Sequence, residues 1–518
     1  MIDKINNIKE SLSNWKDKKV HEQNIDELFL LDGYPLSWFY RPILYSGLLP
    51  SPFPTPLEYV EEKPSSKSWK FAAFPTLLRA SDRVKQMLLS RLKEPTDFRQ
   101  KVLFLTFTNL TTSQNLPFRE ERIIAKINKD NYIETYLLGV DPISALSPKK
   151  IRHFSHTLYQ YADSEVITSA QSIAQQLAER WKKIPEEEKR ELFKHDGKEI
   201  FAYFKPNLDF LYSPEFIFLL GKYYYSLLKL LEKEHIVAAV SSSQNNLLEK
   251  CLIAACHKKN IPVFIVQHGI ALGCAPTLDP LPNVYFEVFG KKYQKDLIAY
   301  GVPKTQIDIT GPVIFDGIEK FTGLSKKGNT RIMLATSPLI EDHFMDKETY
   351  FQRIKMILIE IQKMNFPLVI KTHPREKYTS EYLRLAKETD LAATLFSLQD
   401  RKSHYALICE SSLIITFGST VALEAMIIGR PTLSIKMFDE FNPANQIIIN
   451  SNAAPVVSYK DTFAPVMLSL LQQKKKQPKA AAFVREICSN IDGKSVERIV
   501  NNIYTKVKRS SASAPSSS

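Results

Sequence analysis

The sequence predicts an α/β protein with two doubly wound parallel sheets and a helical, aromatic-rich N-terminal extension. Three observations predict this fold class. The length of 518 residues exceeds what one hydrophobic core usually supports, short apolar segments alternate with helical ones in both halves, and small polar residues follow several of these segments. A composition of 44% apolar and 24% charged residues is that of an ordinary globular protein.

The N-terminal lobe is predicted over residues 1–95, which contain prolines and aromatic residues without a clear strand alternation. Within its densest aromatic part, 28–54, the pair Asp32-Gly33 has the composition of a turn. Asp32 also stands within an aromatic wall of the kind that stacks on sugar rings. It is therefore a candidate catalytic base, with a simple turn residue as the alternative.

The first parallel sheet is predicted over residues 96–322. Residues 101–110 have the profile of a buried strand, and a strand at 235–243, a helix and a strand at 261–269 form a βαβ unit. The last of these strands ends in Gln267-His268-Gly269. His268 is therefore predicted at the edge of the sheet where ligands bind, as a residue that orients the donor, as a proton-transfer residue or as a cap of the strand.

The second parallel sheet is predicted over residues 323–509. Its boundary is placed in a linker rich in Gly, Lys and Thr, and strands at 331–337, 366–374, 409–419 and 431–435 are separated by helices. The low-complexity tail, 510–518, is predicted to be disordered.

The strongest motif is the strand–turn–helix segment TFGSTVALEAMIIGRP at 416–431. Its turn, Gly418-Ser419-Thr420, places free backbone N–H groups and two hydroxyls at the start of a helix, where the helix dipole also favours an anion. Glu424 follows one helical turn later on the same side. The pattern predicts a phosphate site, with an ordinary Ser/Thr N-cap as the alternative.

A second motif, KTHPRE at 371–376, comes where another strand of the same sheet ends. Lys371 and His373 are placed at the ligand-binding edge, and Pro374 fixes the bend that turns the imidazole into the cleft. A histidine there donates a hydrogen bond to a phosphate oxygen, more strongly when protonated. A purely structural histidine is the alternative.

These motifs, together with Gly311-Pro312, resemble those of bacterial surface-polysaccharide glycosyltransferases of the GT-B fold. The resemblance covers roughly residues 235–440 and is to capsule-type Kdo transferases, the polysialyltransferase group and, more distantly, the CDP-glycerol polymerases of teichoic acid synthesis. It implies two Rossmann-like domains, the first for the acceptor and the second for the donor nucleotide.

The resemblance also implies roles for individual residues. His373 is expected to contact the donor phosphate, Ser419 and Thr420 to hold it, and Glu424 to bind the ribose. The favoured donor is a CMP-activated sugar such as Kdo or a sialic-acid relative, transferred to a growing glycan or glycolipid of a capsule or lipopolysaccharide. UDP- and GDP-sugars remain open.

Catalysis and metal use are less visible in the sequence. Asp32, His268 and Asp279 are the candidates for catalysis, with Glu341 and Asp342 behind them. No D-x-D motif and no histidine cluster occurs, which favours a mechanism without a metal or cofactor. The rival functions are a sugar-nucleotide 2-epimerase, a polyol-phosphate transferase and a non-catalytic scaffold of a polysaccharide assembly complex.

The net charge of +13 and the pI near 9.2 favour an anionic partner. A nucleic acid is the least favoured, because the basic residues are not interleaved with aromatic ones along one element. The basic segments at 474–479 and 506–509 are interpreted as solvated faces or as peripheral contacts with an anionic membrane. A polar N-terminus and five cysteines without C-x-x-C spacing predict a cytoplasmic protein.

Overall fold

Two parallel β-sheets organise the protein, whose computed structural model describes most of the chain. The described residues are 18–20, 22–40, 99–106, 120–139, 156–192, 194–195, 198–199, 201–244, 247–269, 281–324, 331–342, 344–396, 401–439, 446–472 and 478–512. Helices flank both sheets, and the chain is an α/β protein with two Rossmann-like parallel sheets, as the sequence predicts.

The first sheet contains seven strands. They are β1 (Lys101–Thr106), β2 (Glu134–Gly139), β3 (His156–Thr157), β4 (Ile236–Ser241), β5 (Val263–Val266), β6 (Val284–Val288) and β7 (Ile307–Ile309). All neighbours run parallel, in the spatial order β7-β6-β5-β4-β1-β2-β3. The central strands have nearly continuous apolar sequences because both of their faces are buried.

The second sheet contains six parallel strands. They are β8 (Arg331–Ala335), β9 (Leu368–Lys371), β10 (Ala393–Phe396), β11 (Ser411–Thr416), β12 (Thr432–Lys436) and β13 (Val456–Ser458). Their spatial order is β10-β9-β8-β11-β12-β13. In each sheet the strand order reverses beside the first strand, and open α/β sheets bind ligands outside the carboxyl ends at that point.

Helices connect these strands and cover the sheets. They are α1 (Ile25–Leu28), α2 (Glu121–Asp130), α3 (Ser164–Lys183), α4 (Glu186–Leu192), α5 (Phe201–Leu211), α6 (Pro214–Lys233), α7 (Leu247–Lys258), α8 (Lys291–Ala299), α9 (Lys347–Gln362), α10 (Thr379–Glu388), α11 (Arg401–Glu410), α12 (Thr420–Ile428), α13 (Gln446–Asn450), α14 (Ala464–Gln472), α15 (Pro478–Ile487) and α16 (Ser495–Ala512). Short polar side chains start the longer helices: Asp163 caps α3, Ser213 caps α6 and Asp346 caps α9. None of the helices in the ranges given above is both long and apolar enough to span a membrane.

The last helix, α16, returns to the first sheet. Its buried apolar residues pack with α2 and with the β1, β4 and β5 strands, and they are Ile499, Val500, Ile503 and Val507. From the sequence, this segment is predicted to belong to the second domain, within 323–509; that division stays a prediction, but in space α16 lies on the first sheet. The helix also includes 510–512 of the predicted tail, while 513–518 lie outside the described residues.

Two glycines let the chain segment before α16 pass close to the carboxyl end of the first sheet. A Cβ on Gly290 would lie 2.4 Å from the carbonyl oxygen of Ile487. A Cβ on Gly311, which has a φ of +91°, would lie 2.9 Å from the carbonyl oxygens of Ser489 and Asn490. The predicted Gly-Pro motif therefore marks a close approach between backbones.

Candidate functional site

The carboxyl edge of the second sheet brings the two strongest sequence motifs together. In the ladder Ala335 pairs with Lys371 on one side and with Thr416 on the other, so β8, β9 and β11 end side by side. β8 and β11 flank the point where the strand order reverses. The KTHPRE and GST segments thus leave the sheet at the place where ligands of such folds bind.

The turn between β11 and α12 has the geometry of an anion site. Gly418 has a φ of +86°, and Ser419 occupies the N-cap position of α12 with an extended backbone, φ −75° and ψ 165°. The Ser419 hydroxyl does not cap the helix, and its buried Oγ has no hydrogen-bond partner in the described part of the chain. Thr420 is the first residue of the helix. An unpaired hydroxyl thus stands beside the N–H groups of the first helical turn.

Lys371 brings a buried positive charge to the same edge. It is the last residue of β9 and is only 7% exposed. Burial lowers the pKa of its ammonium group, and the nearby carboxylates of Glu424 and Glu376 oppose that shift. The ammonium group stands at the ligand-binding edge of the sheet, where it can donate hydrogen bonds to a phosphate oxygen.

His373 is held in one tautomer by its neighbour. Its Nδ1 accepts a hydrogen bond of 3.2 Å from the backbone N–H of Arg375. Burial, assisted by the charges of Arg375 and Lys371, lowers the pKa of His373 to about 4. The ring is therefore neutral at pH 7 with its proton on Nε2, so the hydrogen bond that it can donate is that of a neutral imidazole. Pro374 is exposed in the turn that follows.

The acidic residues after β8 brace the loop that carries His373. The side chain of Arg375 forms a two-pronged ion pair with Asp342, one contact of which is 2.9 Å, and Glu341 Oε1 accepts a bond of 2.8 Å from the Lys377 N–H. These contacts give the two secondary catalytic candidates, Glu341 and Asp342, a positioning function. Asp279, also a catalytic candidate, lies outside the described residues.

Glu424 lies in the second turn of α12 and is anchored by a histidine that the sequence analysis does not single out. The Nε2 of His404, on α11, is 2.8 Å from Glu424 Oε2, and both side chains are largely buried. The Nδ1 of His404 is buried without a partner among the described residues. The contact with His404 fixes the direction of the Glu424 carboxylate. Glu424 is the residue that is expected to bind a ribose.

The QHG motif of the first sheet follows β5. Gln267 braces the turn, because its Nε2 donates to the Gly269 carbonyl at 2.7 Å and its Oε1 accepts from the Phe289 N–H at 2.8 Å. The half-buried His268 ring donates through Nδ1 to the carbonyl oxygen of Ser242, at the end of β4. That bond leaves the lone pair of the neutral ring on Nε2, the arrangement that proton abstraction requires.

Asp32 does not join these residues. With Gly33 it forms the turn of a tight hairpin between Leu30–Leu31 and Tyr34–Pro35, and both turn residues have positive φ, 49° and 89°. This is the turn that Asp-Gly favours. The Asp32 carboxylate accepts from Tyr224 at 2.6 Å and pairs with Lys258 at 3.1 Å.

The position of Lys258 shows which edge of the sheet Asp32 occupies. Lys258 ends α7, which runs from the carboxyl end of β4 back to the amino end of β5, so Asp32 lies at the edge opposite His268. The aromatic residues near it form core rather than an open wall; Phe29, Trp38, Phe39 and Tyr40 are each at most 5% exposed. The sequence pattern of a polar residue among aromatics is explained by this packing.

The residues at both edges offer oxygen, nitrogen and ammonium groups but no dense set of metal ligands. In the part of the chain that the structure describes, no group of three or more His, Cys, Asp or Glu side chains has the geometry of a metal site. The site at the second sheet is thus defined by Lys371, His373, Ser419, Thr420 and the start of α12.

The sequence matches no protein-family model and no curated protein. Among solved structures, the UDP-GlcNAc 2-epimerase from Neisseria meningitidis bound to UDP-GlcNAc is 13% identical with a TM-score of 0.47, over 78% of this chain and 100% of that one. A putative UDP-N-acetylglucosamine 2-epimerase from Listeria monocytogenes is 12% identical with a TM-score of 0.46, over 79% and 97%. The wall teichoic acid polymerase TagF is 13% identical with a TM-score of 0.43, over 86% and 99%. Because these identities and TM-scores are low, a functional conclusion has to rest on the residues of the candidate site in this chain.

Proposed function

We propose that the protein is a metal-independent glycosyltransferase of the GT-B type. It moves a sugar from a nucleotide-activated donor, favoured as CMP-Kdo or a CMP-sialic-acid-like sugar, to a growing cell-surface glycan or glycolipid. The second sheet binds the donor nucleotide, and the first sheet carries the acceptor and the base.

The single observation that carries this proposal is the convergence at the second sheet. The Lys371 ammonium and the neutral His373 ring belong to the end of β9. The Ser419 hydroxyl, which has no partner among the described residues, and the amino end of α12 belong to the end of β11, and β8 lies between the two strands. Each group donates to or attracts an anionic oxygen, and a phosphate accepts several such donors at once. Glu424, held by His404, supplies an acceptor for ribose hydroxyls on the next turn.

The proposed chemistry uses the two sheets in different ways. Nε2 of His268 takes the proton of the acceptor hydroxyl, whose oxygen forms a bond to the anomeric carbon of the donor. The bond from that carbon to the phosphate oxygen breaks, and its electron pair leaves with the phosphate. Lys371 and the Nε2–H of His373 stabilise this growing negative charge, and they do so more strongly in a site that excludes water.

A thermal-shift screen with CMP, CDP, UDP and GDP tests the nucleotide site. A ligand that binds only the folded state stabilises it and so raises the melting temperature. At a ligand concentration of 100 Kd, the free energy of unfolding increases by about 2.7 kcal/mol. CMP is the expected strongest responder, and the Lys371→Met variant should lose the shift. If no nucleotide raises the melting temperature of the wild type, the transferase proposal fails and the non-catalytic scaffold becomes the favoured function.

A second experiment separates transfer from epimerisation. The Gly418-Ser419 turn, Glu424 and the Gly429-Arg430-Pro431 sequence after α12 suit a sugar-nucleotide 2-epimerase as well. Incubating the protein with each responding donor alone, and then with acceptor glycans, distinguishes the two. Epimerisation of the sugar in the absence of acceptor would overturn the transferase proposal. Transfer of a polyol phosphate to the acceptor would instead identify a polyol-phosphate transferase.

The cellular setting follows from the proposed substrate. A transferase that uses nucleotide-sugars and extends surface glycans works in the cytoplasm at the inner face of the cell membrane. The basic residues Lys506, Lys508 and Arg509 of α16 are the proposed points of peripheral contact with anionic lipid. Flotation with vesicles of phosphatidylglycerol, against neutral vesicles, tests this contact, and equal binding to both would refute it.

A further inference from the structure

One half-buried carboxylate lies in the turn that carries His373 and is not used by the proposed chemistry. Glu376 follows His373 in the same turn, and its carboxylate accepts three hydrogen bonds. Oε2 accepts from the Thr336 hydroxyl at 2.5 Å and from the backbone N–H of His373, and Oε1 accepts from the Tyr382 hydroxyl. The donors come from the end of β8, from the turn after β9 and from α10.

The contacts extend beyond this first set. The Tyr382 hydroxyl is 2.8 Å from the Tyr350 hydroxyl, which is itself 3.3 Å from the carbonyl oxygen of Ser337. Both tyrosines are 1% exposed. The Thr336 hydroxyl also lies 3.2 Å from the Lys371 carbonyl oxygen. The Glu376 carboxylate therefore joins the ends of two neighbouring strands to two helices of the second domain.

Burying a carboxylate has a free-energy cost that a surface acid avoids. Burial raises the pKa of Glu376, while its hydrogen bonds with Thr336, Tyr382 and the His373 N–H act in the opposite direction. The nearby Glu381 instead pairs with Arg384 at the surface. The three bonds to Glu376 offset part of the desolvation cost, and their geometric consequence is that the backbone of His373 is fixed.

We propose that Glu376 is a positioning residue of the phosphate site: its carboxylate fixes the His373 backbone and the end of β8 so that the imidazole presents its Nε2 hydrogen to a bound phosphate oxygen. The ligand in this statement rests on the proposed function, while the positioning of His373 does not. Glu376 itself contacts no substrate. Its effect on binding is exerted through His373.

The titration of His373 in the ligand-free protein tests the positioning. Its imidazole signals, followed by NMR and assigned by their loss in His373→Asn, are expected to titrate with a pKa of about 4 in the wild type. Glu376→Ala removes the support of the turn, so the ring gains water and its pKa is expected to rise toward 6.5 by at least one unit. Glu376→Gln keeps an oxygen that accepts the N–H bond, so it should leave the pKa low.

The two variants separate positioning from charge. If Glu376 acted only by its negative charge, both variants would remove that charge and lower the pKa of His373 alike. The other charged groups around the ring, Lys371, Arg375 and Asp342, stay in place. Equal, downward shifts in both variants, or no shift in Glu376→Ala, would overturn the proposal.

Two further variants serve as controls. Tyr382→Phe keeps the charge and removes one donor, so it reports the network even if Glu376→Ala fails to fold, and an upward shift of the His373 pKa is expected. If Glu376→Ala does not fold, an unchanged titration of His373 in a folded Tyr382→Phe would contradict the positioning role. Glu381→Gln removes an acid of α10 that makes no contact with this turn, and it should change nothing.

Nucleotide titrations complete the test. With CMP, CDP and UDP as probes, Glu376→Ala should weaken the affinity at least 10-fold and Glu376→Gln should largely rescue it. If the wild type binds none of the three while the His373 titration responds as expected, the proposed function fails and the positioning role stands. If the wild type binds a nucleotide and Glu376→Ala binds it equally well, the positioning role fails and the proposed function stands.

Discussion

Replacing His373 with alanine measures the contribution of one neutral hydrogen-bond donor to nucleotide binding. The ring is held with its proton on Nε2, because Nδ1 accepts from the Arg375 N–H. One hydrogen bond to a charged oxygen contributes about 1.5–3 kcal/mol. His373→Ala is therefore expected to raise the Kd of the nucleotide that binds best about 10- to 150-fold, with folding intact.

The pH dependence of this effect follows from the lowered pKa. Because the pKa of His373 is about 4, only about one ring in a thousand is protonated at pH 7. The ratio of the two Kd values, variant over wild type, should then stay constant from pH 8 to 5.5. If the ring instead bound as imidazolium with an ordinary pKa, the ratio would rise as the pH falls through 6.5.

Isothermal titration calorimetry at three pH values gives both quantities. His257→Gln is the matched control, since His257 lies at the end of α7 and bonds to Tyr34, at the amino edge of the first sheet. Its Kd should equal that of the wild type. An unchanged Kd in His373→Ala would refute the contact, and a ratio that grows tenfold toward pH 5.5 would refute the neutral donor.

Three further predictions concern the Ser419 turn, a glycine pair and a buried acid. Ser419→Ala should leave the ligand-free melting temperature unchanged, because its hydroxyl has no partner in the described part of the chain, and should weaken nucleotide affinity about 5- to 10-fold in a titration. In denaturant unfolding, Gly311→Ala should cost about 2–4 kcal/mol and Gly301→Ala about 1 kcal/mol, because both have positive φ but only the Cβ at Gly311 would meet backbone oxygens, at 2.9 Å. Burial raises the pKa of Glu287, so the folded protein keeps a proton that the unfolded chain releases above pH 4.5. The free energy of unfolding should therefore fall as the pH rises from 5 to 8. Glu287→Gln keeps the contact with Asn502 and should remove this pH dependence in a series of denaturant titrations.

Each of these three has an outcome that contradicts it. A lower ligand-free melting temperature in Ser419→Ala, with unchanged affinity, would make the hydroxyl a helix cap. Equal losses in the two glycine variants would show that the backbone approach at Gly311 is unimportant. A pH slope that survives in Glu287→Gln would assign it to Asp308, whose pKa burial also raises.

The sequence predicts the strands that are buried on both faces and misses those at the margins. β4, β5, β8, β9 and β11 all have continuous apolar runs, and the structure has them. β10, Ala393–Phe396, lies at the sheet edge with most of its residues only partly buried, and its four residues, interrupted by Thr394, form too short an apolar run to predict a strand. The strand predicted over 409–419 begins later, at Ser411, because α11 continues to Glu410.

The candidate site is predictable where its residues adjoin strand ends. Lys371, His373 and Ser419 each follow a recognisable apolar strand, so their proximity follows from the parallel topology. The supports are not predictable in this way. Thr336 and Glu376 are 40 positions apart and His404 and Glu424 are 20 apart, and no spacing rule links a loop residue to a partner across the sheet. The missed signal for Glu376 was its place in the turn immediately after the HP pair.

The return of α16 to the first sheet has a consequence for biosynthesis. The apolar faces of Phe104, Val240 and Phe264 are covered in part by Ile499 and Ile503, which come after the whole of the second sheet in the chain. While a ribosome synthesises the protein, the first sheet therefore keeps an uncovered apolar surface until the second sheet and α16 have been made. Chaperones should stay bound to the nascent chain until α16 has emerged, and a chain cut before Ser495 should aggregate even though both sheets are fully encoded.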